Sequence, residues 1–190
     1  SNPDFLKRHK IPFAKPVEAY RQSVHGREVA KGNSAAASCS DCHGAHDIQS
    51  GKDGRSKTLH GHISDTCGKC HPDVQSVYES SVHGIAAKAG SAASPVCTDC
   101  HGEHTILAPT EPGSLVNPAR VSTATCGRCH GDERVASRYD LSLDQTSTYR
   151  DSFHGLALRG GQKTVANCAS CHGVQNILAS TDPRSTIHKS

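Results

Sequence analysis

The chain has no methionine and no tryptophan, and only 4% of its 190 residues are aromatic. Apolar side chains reach 34%, roughly 43% with the 17 glycines counted, a little under the about 45–50% of an ordinary soluble domain on that count. The polypeptide alone can therefore build only a thin core. No apolar run approaches the roughly 18 residues that a membrane-crossing helix needs. The opening SNPDFLKRHK does not read as a signal peptide, because no apolar block follows its charges. Charge of one sign is not concentrated anywhere. The formal net charge is +3, and Lys and Arg are scattered with few aromatics between them, which argues against a nucleic-acid partner. No run alternates as a strand would. Something other than side chains must fill the interior.

Cysteine and histidine are abundant instead, at 10 and 14 residues. The cysteines form five C-x-x-C pairs: Cys39 with Cys42, Cys67 with Cys70, Cys97 with Cys100, Cys126 with Cys129, and Cys168 with Cys171. Each pair is followed directly by a histidine: His43, His71, His101, His130 and His172. By chance this would happen on the order of once in a million, and C-x-x-C-H is the spacing of c-type haem attachment. Two thiols three residues apart can bond the two vinyl-derived carbons on one porphyrin edge. The adjacent histidine then gives the iron its proximal nitrogen. Zinc is the weaker reading, because two pairs share one zinc and five leave one over. A redox dithiol would occur once, and a disulfide scaffold does not bring a histidine with every second cysteine.

At these motifs, which span residues 39–172, the chain resembles the multihaem c-type cytochromes. It is most similar to those with paired C-x-x-C-H units, C-H-G-x-H and an upstream S-x-H, such as periplasmic and outer-surface electron conduits and cytochrome filament subunits. The resemblance implies five covalent haems c, an extracytoplasmic place (periplasm or cell surface), and redox partner proteins or neighbouring cytochrome subunits, in a filament or larger multihaem assembly. The chain itself is expected not to span a membrane.

A longer repeat encloses the motifs. YRQSVHG, YESSVHG and YRDSFHG begin at Tyr20, Tyr78 and Tyr149, and each histidine precedes the next motif's first cysteine by 14 residues. TCGKCH and TCGRCH begin at Thr66 and Thr125. The expected organisation is one pentahaem domain over 1–190. Unit one covers 16–71 and unit two 72–130, with two haems each; unit three, 142–190, carries one and reads as cut short. The expected fold is mainly α with much irregular loop and little or no β-sheet, packed around haems. PVEAYRQSV and PDVQSVYESSV read as single helices of about ten residues, opened by proline and stopped by the glycines of the His-Gly pairs.

Without methionine a haem with His and Met ligands is excluded, and histidine is the leading sixth ligand. The repeat sorts the candidates. His25, His83 and His154 share one position; His46 and His104 share another, where unit three has Gln175. Three and two match the numbers of first-type and second-type haems, so the five are expected to cap those irons in that order. His46 stands too close to His43 to reach the same iron. His60 is an alternative ligand, His62 a weaker one, and His9 and His188 are expected to face solvent unless they serve a neighbouring molecule.

Filled irons leave no place for substrate. The function read here is one-electron transfer through closely spaced, low-potential bis-His haems, not enzymatic catalysis. The alternative is a nitrite- or hydroxylamine-type oxidoreductase with one open haem. With ionised propionates the net charge would be about −2 in the ferric state and about −7 in the ferrous state, so reduction should couple to protonation or to cationic partners.

Overall fold

The computed structural model describes residues 15–188. Among them there are twelve short α-helices and no strand, the mainly helical, loop-rich architecture expected. Helices α1 (Pro16–Gln22) and α2 (Val24–Ala30) lead to the motif helix α3 (Cys39–His43). A 3-10 turn (His60–His62) and α4 (Ile63–Gly68) carry the second motif. The pattern repeats as α5 (Pro72–Glu79), α6 (Val82–Lys88) and α7 (Cys97–His101), then a π-helical turn (Val121–Cys126) and α8 (Gly127–His130). Helix α9 (Glu133–Tyr139) lies between units two and three, before α10 (Asp144–Asp151), α11 (Phe153–Arg159) and α12 (Cys168–His172).

Each Y-x-x-S-x-H-G segment is two helices meeting at a serine, not the single helix that the sequence suggests. The Ser23, Ser81 and Ser152 hydroxyls accept from the Gly26, Gly84 and Gly155 amides at 3.0, 3.1 and 3.2 Å and donate to the Tyr20, Tyr78 and Tyr149 carbonyls at 2.6–2.7 Å. Such a cap satisfies donors that a helix start would orphan. The glycine therefore sits in the first turn of the second helix and does not stop the first. Its role is close approach: a Cβ at Gly26, Gly84 or Gly155 would stand 2.0–2.2 Å from the tyrosine carbonyl oxygen. Proline opens α1 and α5 as expected. The tyrosine hydroxyls donate to the Ala37, Pro95 and Ala166 carbonyls at 2.8, 2.9 and 3.1 Å, two residues before each first cysteine. One recurring septet thus ties its histidine to the following motif.

Unit two docks on unit one through a main-chain bond from Val24 N–H to the Ile106 carbonyl, 2.8 Å, and unit three on unit two through the equivalent bond from Val82 N–H to Ile177, 2.9 Å. Arg27 and Glu111 add a bidentate ion pair at 2.6 and 3.0 Å to the first joint; Ile85 and Asp182 stand at those positions in the second. The apolar core is small. Among the described residues only Ile63, Val96, Val121 and Ala136 are buried apolar side chains, and Ser23 and Ser81 are the most buried of all.

Candidate haem-ligating sites

Helices α3, α7 and α12 are single turns that present the cysteines and histidine of each first-type motif. Asp41 and Asp99 accept from the Ser38 and Val96 amides at 2.7 and 2.8 Å, and the Ser170 hydroxyl accepts from the Asn167 amide at 3.1 Å, fixing the start of each turn. Gly44, Gly102 and Gly173 end them at φ 86°, 84° and 85°, a conformation that glycine adopts without penalty. In the second-type motifs Thr66 and Thr125 donate to the Lys57 and Leu115 carbonyls at 2.7 and 2.6 Å, which accounts for the threonine of T-C-G-x-C-H.

All ten cysteines are free thiols, so no disulfide framework is present. Among the described residues no group of three or more His, Cys, Asp or Glu side chains converges as a metal cage would. Successive motifs are neighbours. The Cys67 thiol hydrogen-bonds Cys97 and Cys126 hydrogen-bonds Cys168; each bond pushes the first thiol up and draws the second down in pKa. Burial raises the Cys42 thiol, and the neighbouring Cys67 and Cys70 add to the effect; Cys126 likewise senses Cys100. Arg128 donates to the Asp99 carbonyl at 2.9 Å, and Cys168 N–H to the Ser122 hydroxyl at 3.0 Å. The five motifs follow one another in space in chain order.

The two cysteines of a pair are not equivalent, although the sequence assigns both to one porphyrin edge. The thiol hydrogen bonds between motifs join Cys67 to Cys97 and Cys126 to Cys168, the first cysteines of their pairs; Cys70, Cys100, Cys129 and Cys171, the second cysteines, stand outside them. Cys70 and Cys171 are exposed and Cys129 is half-buried beside Cys100. The main chain explains their positions. Cys70 N–H closes a turn on the Cys67 carbonyl at 3.2 Å, the Cys129 carbonyl accepts from the Asp132 amide at 3.0 Å, and the Cys171 carbonyl accepts from the Thr186 hydroxyl. Cys39 is exposed like Cys70 and Cys171.

Three pairs of imidazoles face each other across these motifs. His43 and His104 lie 5.9 Å apart, centre to centre, with planes 7° from parallel. His25 and His71 are 6.2 Å apart with planes tilted by 42°, and His83 and His130 are 6.2 Å apart with planes tilted by 54°. A metal–imidazole bond is about 2 Å and the ring centre lies roughly 1 Å beyond the nitrogen, so imidazoles on opposite faces of one iron have centres about 6 Å apart. The residues fit haem iron: each pair joins a motif histidine to a repeat histidine at that separation. Burial, the leading cause, holds His25, His43, His83, His101 and His130 below the ordinary histidine pKa, which favours the neutral form that ligates metal.

The pairing differs from the order expected. His25 and His83 meet the second-type histidines of their own units, His71 and His130, while His104 reaches back to the first-type His43 of the preceding unit. The serine joint is the physical reason. It places the first histidine inside α2 and α6, aimed away from the motif that its tyrosine anchors. His46 and His154 face no motif histidine among the described residues; the ring beside His154 is its neighbour Phe153. His60 approaches the Asp99 carboxylate at 3.5 Å. His62 and His188 turn Nδ1 to the Ser56 and Ser180 carbonyls at 2.8 and 3.1 Å. His172, the last motif histidine, ends α12. His9 lies outside the described residues. Sequence reasoning passed over the serines as caps and the tyrosines as anchors, although both recur in all three units.

Residues 83–173 match the family model of cytochrome c7 and related cytochrome c. There the chain is similar to a multihaem c-type cytochrome. The matched segment holds three of the five C-x-x-C-H motifs and the pair of His83 and His130. This supports an electron-transfer protein with covalently bound haem c rather than an enzyme, of a kind that works outside the cytoplasm. No curated protein and no solved structure matches the chain. No helix among the described residues is long and apolar enough to cross a membrane.

Proposed function

We propose that the chain is a pentahaem electron conduit built from two-haem units (16–71 and 72–130) and a one-haem unit (142–190), working in the periplasm or at the cell surface. The observation that carries this reading is the set of three facing imidazole pairs at 5.9–6.2 Å. Each joins a motif histidine to a histidine that the repeat supplies. In this reading five rings are held by Cys39 and Cys42, Cys67 and Cys70, Cys97 and Cys100, Cys126 and Cys129, and Cys168 and Cys171. Their motif histidines, His43, His71, His101, His130 and His172, would each give the iron one nitrogen. His104, His25 and His83 would supply the second imidazole for the irons held at His43, His71 and His130.

Haem c supplies reversible one-electron chemistry. The chain's own residues fix where it happens. The hydrogen bonds from Arg128 to the Asp99 carbonyl and from Cys168 N–H to Ser122 keep neighbouring motifs close, and the serine joints position the distal imidazoles. Two nitrogen donors stabilise ferric iron and lower the potential relative to ligation by His and Met. Redox partner proteins or further cytochrome subunits would exchange electrons at the two ends.

The test is haem stoichiometry by pyridine haemochrome, followed by a redox titration. Five haems c per chain, at least three of them low-spin, with potentials below those of cytochromes with His and Met ligands, are expected. Fewer than five haems, or fewer than three low-spin irons, would overturn the proposal.

A further inference from the structure

We infer that Gln175, not an imidazole, stands opposite His101, and that the iron held there is an exchangeable site for a small neutral ligand such as a diatomic π-acceptor. The inference rests on the haem attachment proposed above.

From the first motif cysteine onward, Cys97–Ser114 and Cys168–Ser185 align without insertion, so Gln175 takes the position of His104. The two joints between units share their geometry. Ile106 and Ile177, two residues after those positions, accept from the Val24 and Val82 amides at 2.8 and 2.9 Å. Gly102 and Gly173 have nearly the same backbone angles, φ 84° and ψ 170° against φ 85° and ψ 179°. At the first joint this geometry brings His104 over His43 at 5.9 Å. The same geometry one unit later brings residue 175 over His101, the motif histidine equivalent to His43.

No other imidazole among the described residues takes the place. His71 is already paired with His25 at 6.2 Å, and His130 with His83 at 6.2 Å. His60 is drawn to Asp99 and His62 to the Ser56 carbonyl. A glutamine amide oxygen is a far weaker donor to haem iron than imidazole nitrogen, so the sixth position exchanges. The amide NH2 can donate a hydrogen bond to a ligand bound there, and polarity and donors on the distal side decide what a haem binds. Gln175 is half-buried, which leaves a small molecule a way in.

The probe is carbon monoxide, titrated into the dithionite-reduced, fully loaded protein and counted per chain from the Soret change. The parent protein should bind CO. Gln175→His should lower the count by one and add one low-spin iron in the ferric EPR spectrum. His104→Gln, which gives the first joint the glutamine of the second, should raise the count by one; it carries the test if Gln175→His does not load. His60→Ala should leave the count unchanged. A parent protein that takes no CO, a count unmoved by Gln175→His and by His104→Gln, or a rise in His60→Ala would each overturn the inference. A haem count below five in the parent would instead overturn the reading beneath it.

Discussion

Replacing Gly84 by alanine tests whether the serine joint sets the position of the iron ligand. A Cβ there would meet the Tyr78 carbonyl oxygen at 2.1 Å, and Tyr78 C and Glu79 Cα at 2.7 Å. Ordinary carbon contacts begin near 3.5 Å, so the shortfall at the oxygen is more than about 1 Å. All three obstacles are backbone and cannot rotate aside. Helix α6 must therefore move away from α5, carrying His83 with it. Overpacking of this kind costs about 1–3 kcal/mol, while alanine recovers about 1 kcal/mol of helix propensity over glycine. The expected net loss is about 0–2 kcal/mol, with a specific spectral signature: the pair of His83 and His130 opens and one low-spin iron is lost. Urea unfolding and ferric EPR read the two effects. Gly90→Ala is the control. It places a side chain at φ 88° with nothing within 4 Å, so it should cost strain of about 1 kcal/mol and leave every iron low-spin as before. A Gly84→Ala protein with the parent's stability and spectrum would refute the account of the joint.

Ser23→Ala removes the cap on α2 and should cost about 1–2 kcal/mol in urea unfolding; a loss below measurement error would mean that the hydroxyl does not hold the joint. The Arg27–Glu111 pair makes docking of units one and two pH-dependent. The Arg27 hydrogen bond holds the Glu111 carboxyl below its usual pKa, so its contribution is present above the unfolded value near 4.5 and is lost as pH falls through the lower folded value. The unfolding midpoint of Glu111→Gln should accordingly fall less steeply between about pH 5 and 3 than the parent's. Parallel curves would exclude that role.

The fold's composition was legible in the sequence because haem attachment, helix starts and repeat spacing are local. Cys39, Cys42 and His43 announce their chemistry in five residues. Pro16 and Pro72 mark helix starts that the structure keeps. The helix ends were misread because Gly26 and Gly84 look like stop signals, yet serve a contact six residues back in the chain. Identical spacing also hid the unequal surroundings of paired thiols such as Cys67 and Cys70, because those depend on which motif lies alongside. Counting histidines grouped the candidates but could not pair them, since pairing depends on the direction in which α2 and α6 leave their serines. His104 and His46 have the same local sequence context, and only the joint at Val24 and Ile106 gives one of them a partner. Gln175 stood out early as a departure. Its consequence for His101 needed the bond between Val82 and Ile177.

The joint also bears on how the molecule is made. His43 leaves the ribosome 61 residues before His104, its facing imidazole, whereas His71 emerges after His25. In the proposed reading a first-type iron would gain its second imidazole only from the next unit, while a second-type iron would gain its own within one unit. Maturation should then alternate along the chain. Docking of unit two would seal the metal that unit one left exposed, whereas docking of unit three, which brings Gln175, would not, and damage at the first joint would be felt one unit upstream.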